Sequence, residues 1–329
     1  MIEGLDARTA LIYDPIKDGL MQVEERLRNI SGMEVSTMPE LLDYVLQTGG
    51  KRVRPAITLL AAGFHPHDHD LPTIMAASVE LLHIATLIHD DTVDNSPLRR
   101  GKATVSGLWG KDVAVLLGDY VFATSATFVC DTNNVRVIRR FSETIMELSS
   151  GELLEYFNIN NWKQSREDYN DRIYRKTASL FRTAAETGAI LSGSPEETVQ
   201  ALHNYGYNIG MAFQIVDDIL DVEGSAEEIG KPVGNDLLQG VLTLPAIMLM
   251  ERYPDENPVE ELFRDGNQDG GKSLSRSLDM IQNSKIIEDC YAITRDYCRK
   301  AAESIESLSG GSSQRSLLDL SAYVTERTR

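Results

Sequence analysis

The chain has 329 residues and carries 32 Lys and Arg against 50 Asp and Glu, a formal net charge of −18 at pH 7. Its 42% hydrophobic and 25% charged composition is typical of a folded globular protein, and its acidity disfavours nucleic acid and anionic membranes as partners. The three cysteines lack CxxC spacing, which indicates free thiols in a reducing compartment.

Two observations bear on targeting. Met1–Leu20 has no basic segment followed by an apolar one, so we expect no signal peptide. The apolar stretch Val113–Val129 is interrupted by Asp119 and falls short of about 18 clean apolar residues, so we expect no membrane-spanning helix. Together they predict a cytoplasmic protein.

Helical periodicity dominates the sequence. Thr37 and Glu40 have the spacing of a capping box ahead of apolar residues at helical intervals. The longer predicted helices are Leu71–His89, Asp112–Val129, Val135–Phe157, Tyr169–Leu191, Pro195–Val222, Ile286–Leu308 and Ser316–Arg327. Alternating apolar and polar runs with hairpin turn residues are missing from the sequence, so no sheet is expected. We predict an all-α protein with a single domain over residues 1–329.

An acidic pentapeptide of the form Asp-Asp-x-x-Asp occurs near the ends of two predicted helices. Its aspartates are Asp90, Asp91, Asp94, Asp217, Asp218 and Asp221. Residues four apart share a helix face, so the first and last carboxylates of each cluster converge. Because these like charges repel each other, two such clusters favour bound cations, and oxygen ligands without His or Cys favour Mg²⁺. A solvated acidic helix end would explain one cluster but explains two poorly.

Basic residues accompany glycine at several places in this acidic chain. Segment 49–55 reads Gly-Gly-Lys-Arg-Val-Arg-Pro, and segment 99–102, which follows the first acidic cluster, reads Arg-Arg-Gly-Lys. Lys176-Thr177 and Lys231 complete the set. Such cations bind phosphate through charge-assisted hydrogen bonds, and glycine allows close backbone approach. Each group alone is typical of surface charge, but together with the acidic clusters they predict binding of two diphosphates, one through metal and one directly.

These motifs together resemble the trans-isoprenyl diphosphate synthases from about residue 49 to residue 244. The shared motifs are Gly-Gly-Lys-x-x-Arg-Pro at 49–55, the acidic cluster at 90–94 with Arg-Arg-Gly at 99–101, Lys-Thr at 176–177, Phe-Gln-x-x-Asp-Asp at 213–218, and Gly-Lys at 230–231 with Asp236. Segments 83–89 and 174–181 are most similar to the long-chain (hexa- to decaprenyl) members. The resemblance implies the isoprenoid synthase fold, a single large helical bundle around a central cavity. It also implies a homodimer with residues 112–129 near the interface.

The resemblance further implies residue roles. The residues implied to be catalytic are Asp90, Asp91, Asp94, Arg99, Lys176, Asp217 and Asp218. The implied Mg²⁺ ligands are Asp90, Asp94, Asp217 and Asp221. The diphosphate of isopentenyl diphosphate would be held by Lys51, Arg54, His83 and Arg100. The allylic diphosphate, farnesyl or geranylgeranyl, would be held by Arg99, Lys176, Thr177, Gln214 and Lys231.

The chemistry implied by the resemblance is a condensation. Mg²⁺ and basic side chains stabilise the departing allylic diphosphate, so that the allylic C–O bond ionises. The double bond of isopentenyl diphosphate attacks the cation, and a proton is lost to the released diphosphate, the base in this family. This chemistry needs no side-chain nucleophile.

In this family the residues just before the first acidic cluster limit product length. Ala85 and Thr86 lie about one helical turn before Asp90 and are small, where short-chain enzymes carry aromatic residues. We therefore predict an open tunnel and a long product, roughly six to ten prenyl units by resemblance. Phe122 or Phe128 would form a deeper floor, although core packing is the simpler explanation of both.

Several alternative functions stay open. A geranylgeranyl or farnesyl diphosphate synthase carries the same motifs and differs in product length. A class I terpene cyclase shares the fold, but its second metal site carries Asn, Ser or Thr with Glu, and segment 49–55 would serve no purpose in it. A non-catalytic synthase subunit tends to lose aspartates that this chain keeps. An intramembrane aromatic prenyltransferase would need spanning helices, and a non-enzymatic metal-binding module leaves the basic segments unexplained.

Overall fold

A computed structural model describes residues 5–30, 37–46, 50–99, 101–223, 233–265 and 271–326. Helices make up nearly all of its regular structure, which confirms the all-α prediction. They are α1 (Ala7–Ile12), α2 (Lys17–Arg28), α3 (Met38–Leu46), α4 (Val53–Ala62), α5 (Asp70–Val93), α6 (Val105–Trp109), α7 (Lys111–Asp131), α8 (Val135–Phe157), α9 (Arg166–Ile173), α10 (Ser179–Leu191), α11 (Glu196–Glu223), α12 (Asn235–Leu238), α13 (Leu244–Arg252), α14 (Pro258–Asp265), α15 (Lys272–Gln282), α16 (Ile286–Glu306) and α17 (Gly311–Glu326). A 3₁₀ turn, Asp14–Ile16, joins α1 and α2.

One short hairpin departs from the prediction that the chain contains no sheet. Strand β1 (Leu98–Arg99) pairs antiparallel with strand β2 (Lys102–Ala103). Gly101 lies in the turn with a φ of +75°, a left-handed conformation that glycine adopts readily. Strands of this length are too short to show an alternating pattern, so periodicity alone does not reveal them.

The predicted helix Tyr169–Leu191 is divided into three parts. Helix α9 begins at a capping box, in which the Ser165 and Asp168 side chains each accept a hydrogen bond from the other residue's backbone N–H. A π-helical segment, Tyr174–Ala178, follows, and α10 continues from it. A π turn holds one extra residue, and such turns are frequent at functional sites. The apolar periodicity detects the helix but not this insertion.

The chain groups into two compact units. The first unit comprises the described residues of Met1–Ser142, Leu180–Gly206 and Ser304–Leu320. The second unit comprises those of Glu143–Ser179, Tyr207–Glu303 and Ser321–Arg329. The single domain over residues 1–329 stays a prediction.

Helix α5 is the central helix of the first unit and packs against α2, α4 and α7. Its residues 75–79 are fully buried on all sides, as expected for a helix enclosed by others. Helix α7 approaches α5 closely at Gly118, where a Cβ atom would lie 2.1 Å from the His89 ring. The end of α5 that carries the first acidic cluster is therefore held against α7.

Within the described residues, two helices are long and apolar enough to cross a membrane by length and composition alone. These are α5, with 78% of its most apolar window buried, and α7, with 33% buried. A mostly buried apolar helix such as α5 is typical of a protein core. The absence of a membrane-spanning helix stays a prediction.

The second unit has its own apolar core. Tyr169 and Ile173 of α9, Ile215 and Ile219 of α11, and Ile247 of α13 are buried together in it. The apolar residues of α11 recur at intervals of three and four, which places them on one face. This packing fixes the rotation of α11 and hence the direction of its aspartates.

Candidate active site

The first acidic cluster lies at the C-terminal end of α5. Asp90 is half-buried and Asp94 is exposed, one turn further on. Asp91 is only 7% exposed, and Arg99 Nε donates to both of its carboxylate oxygens, at 2.9 and 2.8 Å. The hairpin β1–β2 places Arg99 for this contact. The cluster therefore consists of two outer aspartates and a buried one that is already neutralised by an arginine.

The basic segment before α4 is anchored by Arg52. This residue is buried, has a left-handed φ of +49°, and its guanidinium donates to Glu24 Oε1 at 2.6 Å and to Glu80 Oε1 at 2.7 Å. Burial lowers the pKa of Arg52, but Glu80 and Glu24 outweigh this effect and raise the pKa above its ordinary value. Arg52 is thus a permanently charged anchor for its chain neighbours.

Two predicted ligands of isopentenyl diphosphate, Lys51 and Arg54, lie within two residues of this anchor in the chain. The Lys51 carbonyl accepts a hydrogen bond from the Tyr13 hydroxyl at 2.9 Å. The Arg54 guanidinium lies 4.5 Å from the centre of the Phe181 ring. His83 is half-buried on α5, two turns before Asp90 and on the same face. Arg100 lies outside the described residues.

The second acidic cluster is connected to the Lys-Thr motif by a chain of hydrogen bonds. Asp218 is 3% exposed, and its Oδ2 accepts from the Tyr169 hydroxyl at 2.6 Å. Its Oδ1 accepts from Gln214 Nε2 at 2.8 Å. Gln214 Oε1 in turn accepts from the Thr177 hydroxyl at 2.6 Å. The structure brings the predicted site residues Thr177, Gln214 and Asp218 together, whereas Tyr169 was not predicted as a site residue.

Burial dominates the electrostatics of this cluster. It raises the pKa of Asp218 to about 8, with a further contribution from the charge of Asp236, while the hydrogen bonds from Tyr169 and Gln214 oppose the shift. Burial also raises the pKa of Tyr169 well above its ordinary value, reinforced by the nearby Asp218. The Tyr169 phenol therefore stays protonated and available as a donor.

The two outer aspartates of the second cluster differ in their surroundings. Asp217 is half-buried on α11. Asp221 lies one turn later, and its carboxylate oxygens accept from the backbone N–H groups of Asn235 and Asp236, each at 3.2 Å. These contacts connect the end of α11 to α12. Lys231, predicted to bind diphosphate, lies outside the described residues.

Lys176 lies in the π segment and is surrounded by carboxylates. Its ammonium is 2.6 Å from Glu155 Oε1 and 3.1 Å from Glu152 Oε2. Gly151 permits this approach, since a Cβ atom there would lie 2.7 Å from the backbone nitrogen of Lys176. A diphosphate that binds Lys176 would therefore compete with two glutamates for the same cation.

The residues predicted to set product length lie on α5 and α7. Ala85 is 1% exposed, and Thr86 is half-buried with its hydroxyl donating to the His83 carbonyl at 2.8 Å. Phe122 and Phe128 are half-buried on α7, which packs against α5. Their role in product length stays a prediction.

The carboxylates are arranged in pairs. In the described part of the chain, the structure does not bring three or more His, Cys, Asp or Glu side chains into a group that could hold a metal ion. Each cluster instead has two outer aspartates four residues apart in the chain, a spacing that places them on one helix face: Asp90 and Asp94, and Asp217 and Asp221. Mg²⁺ is usually bound by one or two carboxylates, with water and phosphate oxygens completing its shell. The donor sets therefore fit Mg²⁺ held together with a diphosphate.

Sequence reasoning missed the residues that support these motifs. Tyr169, Glu152, Glu155 and Arg52 each contact a predicted site residue or anchor its segment. Of these, only Arg52 lies inside a recognised motif. A buried tyrosine before a Lys-Thr pair has no spacing that would separate it from core packing, so no sequence signal indicates its role.

Comparisons with known proteins find one family and several similar structures. The model of the family described as polyprenyl synthetase matches residues 35–279. Over 316 residues the chain is 35% identical to heptaprenyl diphosphate synthase component 2 of Geobacillus stearothermophilus, covering 96% of this chain and 98% of that protein. A crystal structure of a decaprenyl diphosphate synthase from Rhodobacter capsulatus matches with a TM-score of 0.91 and 33% identity, covering 98% and 99% of the two chains. A polyprenyl synthase from Caulobacter crescentus CB15, complexed with calcium and isoprenyl diphosphate, matches with a TM-score of 0.90 and 30% identity, covering 98% of each chain.

Proposed function

Because this chain belongs to the polyprenyl synthetase family and is a trans-polyprenyl diphosphate synthase, a prenyltransferase, we propose that it condenses isopentenyl diphosphate successively onto an allylic diphosphate in a Mg²⁺-dependent reaction. One observation carries this proposal. At both acidic clusters the outer aspartates reach solvent, while the middle aspartate is buried and held by protein donors. Outer pairs of this kind suit a metal–diphosphate complex, because they leave part of the metal shell to phosphate oxygens.

To residues of the first unit we assign metal binding and contacts to both diphosphates. Asp90 and Asp94 ligate Mg²⁺, and Arg99 orients Asp91 and adds positive charge for the allylic diphosphate. The diphosphate of isopentenyl diphosphate is bound by Lys51, Arg54, His83 and Arg100. The described members of that group lie on α4, on α5 and at the segment that Arg52 anchors, so the scaffold that carries them is rigid.

In the second unit the proposed metal ligands are Asp217 and Asp221. Lys176, Thr177, Gln214 and Lys231 bind the allylic diphosphate. Lys176 carries the charge, whereas the Thr177 hydroxyl proton is directed to Gln214. The neighbouring Glu152 and Glu155 hold the Lys176 ammonium in place before substrate binds.

The chain's residues explain how the allylic C–O bond could ionise. Bound Mg²⁺ supplies a Lewis acid that stabilises the negative charge of the departing diphosphate. Lys176 and Arg99 would each supply positive charge that stabilises the negative charge of the departing diphosphate. The released diphosphate accepts the proton that the elongated product loses, so no side-chain base is required.

We also propose a long product. The relatives include proteins named heptaprenyl and decaprenyl diphosphate synthases. In this chain, small residues, Ala85 and Thr86, stand one turn before Asp90, so the helix there carries no bulky side chain that could stop a growing prenyl chain. A deeper floor is assigned to Phe122 or Phe128.

Helix α7 supports the proposal of a homodimer. Leu116 is 68% exposed on the face of α7 opposite its buried residues, and Val115 is 44% exposed on the adjoining flank. Neighbouring exposed apolar side chains are typical of an interaction surface. Light scattering should give twice the chain mass of 36.5 kDa. A monomeric mass would contradict the proposed dimer.

Product analysis tests the proposed reaction. The purified chain is incubated with Mg²⁺, isopentenyl diphosphate and farnesyl diphosphate, and the dephosphorylated products are sized by chromatography. We expect a ladder that ends at six or more units and disappears with EDTA.

Asp94→Asn should lower turnover at least about 100-fold because it removes a proposed metal ligand. Asp131→Asn, an exposed aspartate at the end of α7, is the matched control and should leave turnover unchanged.

The other outcomes separate the alternatives. A product that stops at four units keeps the reaction but contradicts the long-chain assignment. Release of a hydrocarbon without elongation indicates a cyclase. Failure to turn over any primer would contradict the proposed reaction and favour a non-catalytic synthase subunit, since one relative is named as component 2 of a heptaprenyl diphosphate synthase.

A further inference from the structure

Tyr169 is a fully buried tyrosine whose hydroxyl is directed at a buried carboxyl group. Its ring packs in the core of the second unit with Ile215 and Ile219 of α11. Its hydroxyl donates to Asp218 Oδ2 at 2.6 Å. Arg172, one turn after Tyr169 on α9, places its guanidinium 5.7 Å from the centre of the same ring. The tyrosine therefore connects α9 to the buried carboxylate of the second acidic cluster.

The hydrogen bonds that start at Tyr169 continue through two further side chains. Gln214 Nε2 donates to Asp218 Oδ1, so the Gln214 amide turns its NH₂ group towards Asp218. The Gln214 carbonyl then faces Thr177 and accepts the proton of its hydroxyl. Asp218 thus orients Gln214, and Gln214 orients Thr177 beside Lys176. Rotation of the Asp218 carboxylate would disturb each later member of this chain.

Asp218 depends on few groups for its position. It is 3% exposed, so water does little to hold it, and its carboxylate oxygens accept the side-chain donors of Tyr169 and Gln214. Of these two donors, Gln214 is half-buried and is itself placed by Asp218, whereas Tyr169 is locked by the core. Tyr169 is therefore the rigid donor in this network.

We propose that Tyr169 is a positioning residue for the allylic diphosphate: its hydroxyl holds Asp218, and through it Gln214 and Thr177, in the orientation that receives a metal-bound diphosphate. This inference rests on the proposed function, because it assumes that the second cluster and the Lys-Thr motif bind that diphosphate. Tyr169 itself does not touch the reacting atoms. Loss of its hydroxyl should weaken binding of the allylic diphosphate and of metal, and leave the isopentenyl diphosphate site intact.

The chain contains a matched control for this tyrosine. Tyr205 is also fully buried, but its hydroxyl donates to a backbone carbonyl, that of Leu317, at 2.8 Å. Tyr169→Phe and Tyr205→Phe therefore remove the same atom from equally buried sites. Only the first removes it from a carboxylate. A merely structural role for Tyr169 predicts that the two variants behave alike.

The experiment measures binding and turnover in the full-length protein. Melting temperatures are recorded with and without Mg²⁺ and inorganic diphosphate, so that each variant is compared with its own ligand-free state. Steady-state assays give the Mg²⁺ concentration for half-maximal rate and KM for each substrate. We expect Tyr169→Phe to raise the Mg²⁺ requirement and the allylic KM by about tenfold, the loss expected for one hydrogen bond to a charged group. Its ligand-induced shift in melting temperature should shrink, and KM for isopentenyl diphosphate should stay unchanged.

A double-mutant cycle with Asp218→Asn completes the test. If Tyr169 acts through Asp218, Tyr169→Phe should have little further effect on the allylic KM in the Asp218→Asn background. Equal effects in both backgrounds, or identical behaviour of Tyr169→Phe and Tyr205→Phe, would overturn the inference while wild-type turnover still supports the proposed function. Absence of condensation by the wild-type chain would instead overturn the proposed function and the inference together.

Discussion

Replacement of Arg52 by methionine should destabilise the first unit strongly. Methionine keeps an unbranched apolar stem but removes the guanidinium, which leaves the Glu80 carboxylate buried without its cation. Removal of one partner of a buried ion pair costs about 3–5 kcal/mol. Because the Glu24 side chain is 21% exposed and can regain water, whereas that of Glu80 is 6% exposed, we expect the loss to lie near the lower end, about 3 kcal/mol.

Urea denaturation followed by circular dichroism measures this loss. Hydrogen exchange at α4 and α5 assigns it to the first unit. Arg136→Met is the matched control, since Arg136 contacts Glu196 through two hydrogen bonds of 2.6 and 2.7 Å on the surface. The midpoint of urea denaturation should be the same for Arg136→Met as for the wild type. Arg52→Met should also raise KM for isopentenyl diphosphate more than KM for the allylic substrate, because Lys51 and Arg54 flank the replaced residue.

A second variant tests the physical reason. In Arg52→Met/Glu80→Leu the buried charge is removed together with its partner, and an apolar pair should recover most of the lost stability. A loss below about 1 kcal/mol for Arg52→Met would refute the reasoning, since that is the range of exposed ion pairs. Failure of the double variant to recover would show that the loss arises from packing and not from the unpaired carboxylate.

Three further predictions concern other residues. Gly151→Ala places a Cβ atom 2.7 Å from the backbone nitrogen of Lys176, so it should displace the π segment and lower kcat, measured by steady-state kinetics, despite the better helix propensity of alanine. Thr86→Phe should shorten the products, sized by chromatography, and an unchanged ladder would contradict the proposed tunnel. Burial raises the pKa of Glu186, but the hydrogen bond to His203 and the charges of His203, Arg140 and Arg182 together outweigh burial and lower the pKa below 4.5. This stabilisation is present above pH 4.5 and lost as the pH falls through the lowered pKa, so Glu186→Gln should be less stable than wild type in urea above pH 4.5 and equal to it well below.

The elements that periodicity predicts best are the helices with a continuous apolar stripe. Val135–Phe157 is predicted with the bounds that the structure shows, and α5 extends the prediction Leu71–His89 by only a few residues at each end. Helix α4 was not predicted as a helix. It begins inside the basic segment 49–55. The hairpin β1–β2 and the π segment were not predicted, because each is too short to show a periodic pattern.

The sequence by itself determined the chemistry that this chain can perform. Two aspartates four residues apart on a helix must share a face, and Lys-Thr or Gly-Gly-Lys-x-x-Arg-Pro supplies phosphate-binding groups wherever it folds. These are local properties, set by covalent spacing. Only the tertiary structure decided which member of each acidic cluster is buried and which residue holds it. Asp218 meets Tyr169 across 49 positions of chain, and Lys176 meets Glu152 across 24, because the packing of apolar faces, and not sequence spacing, sets those distances.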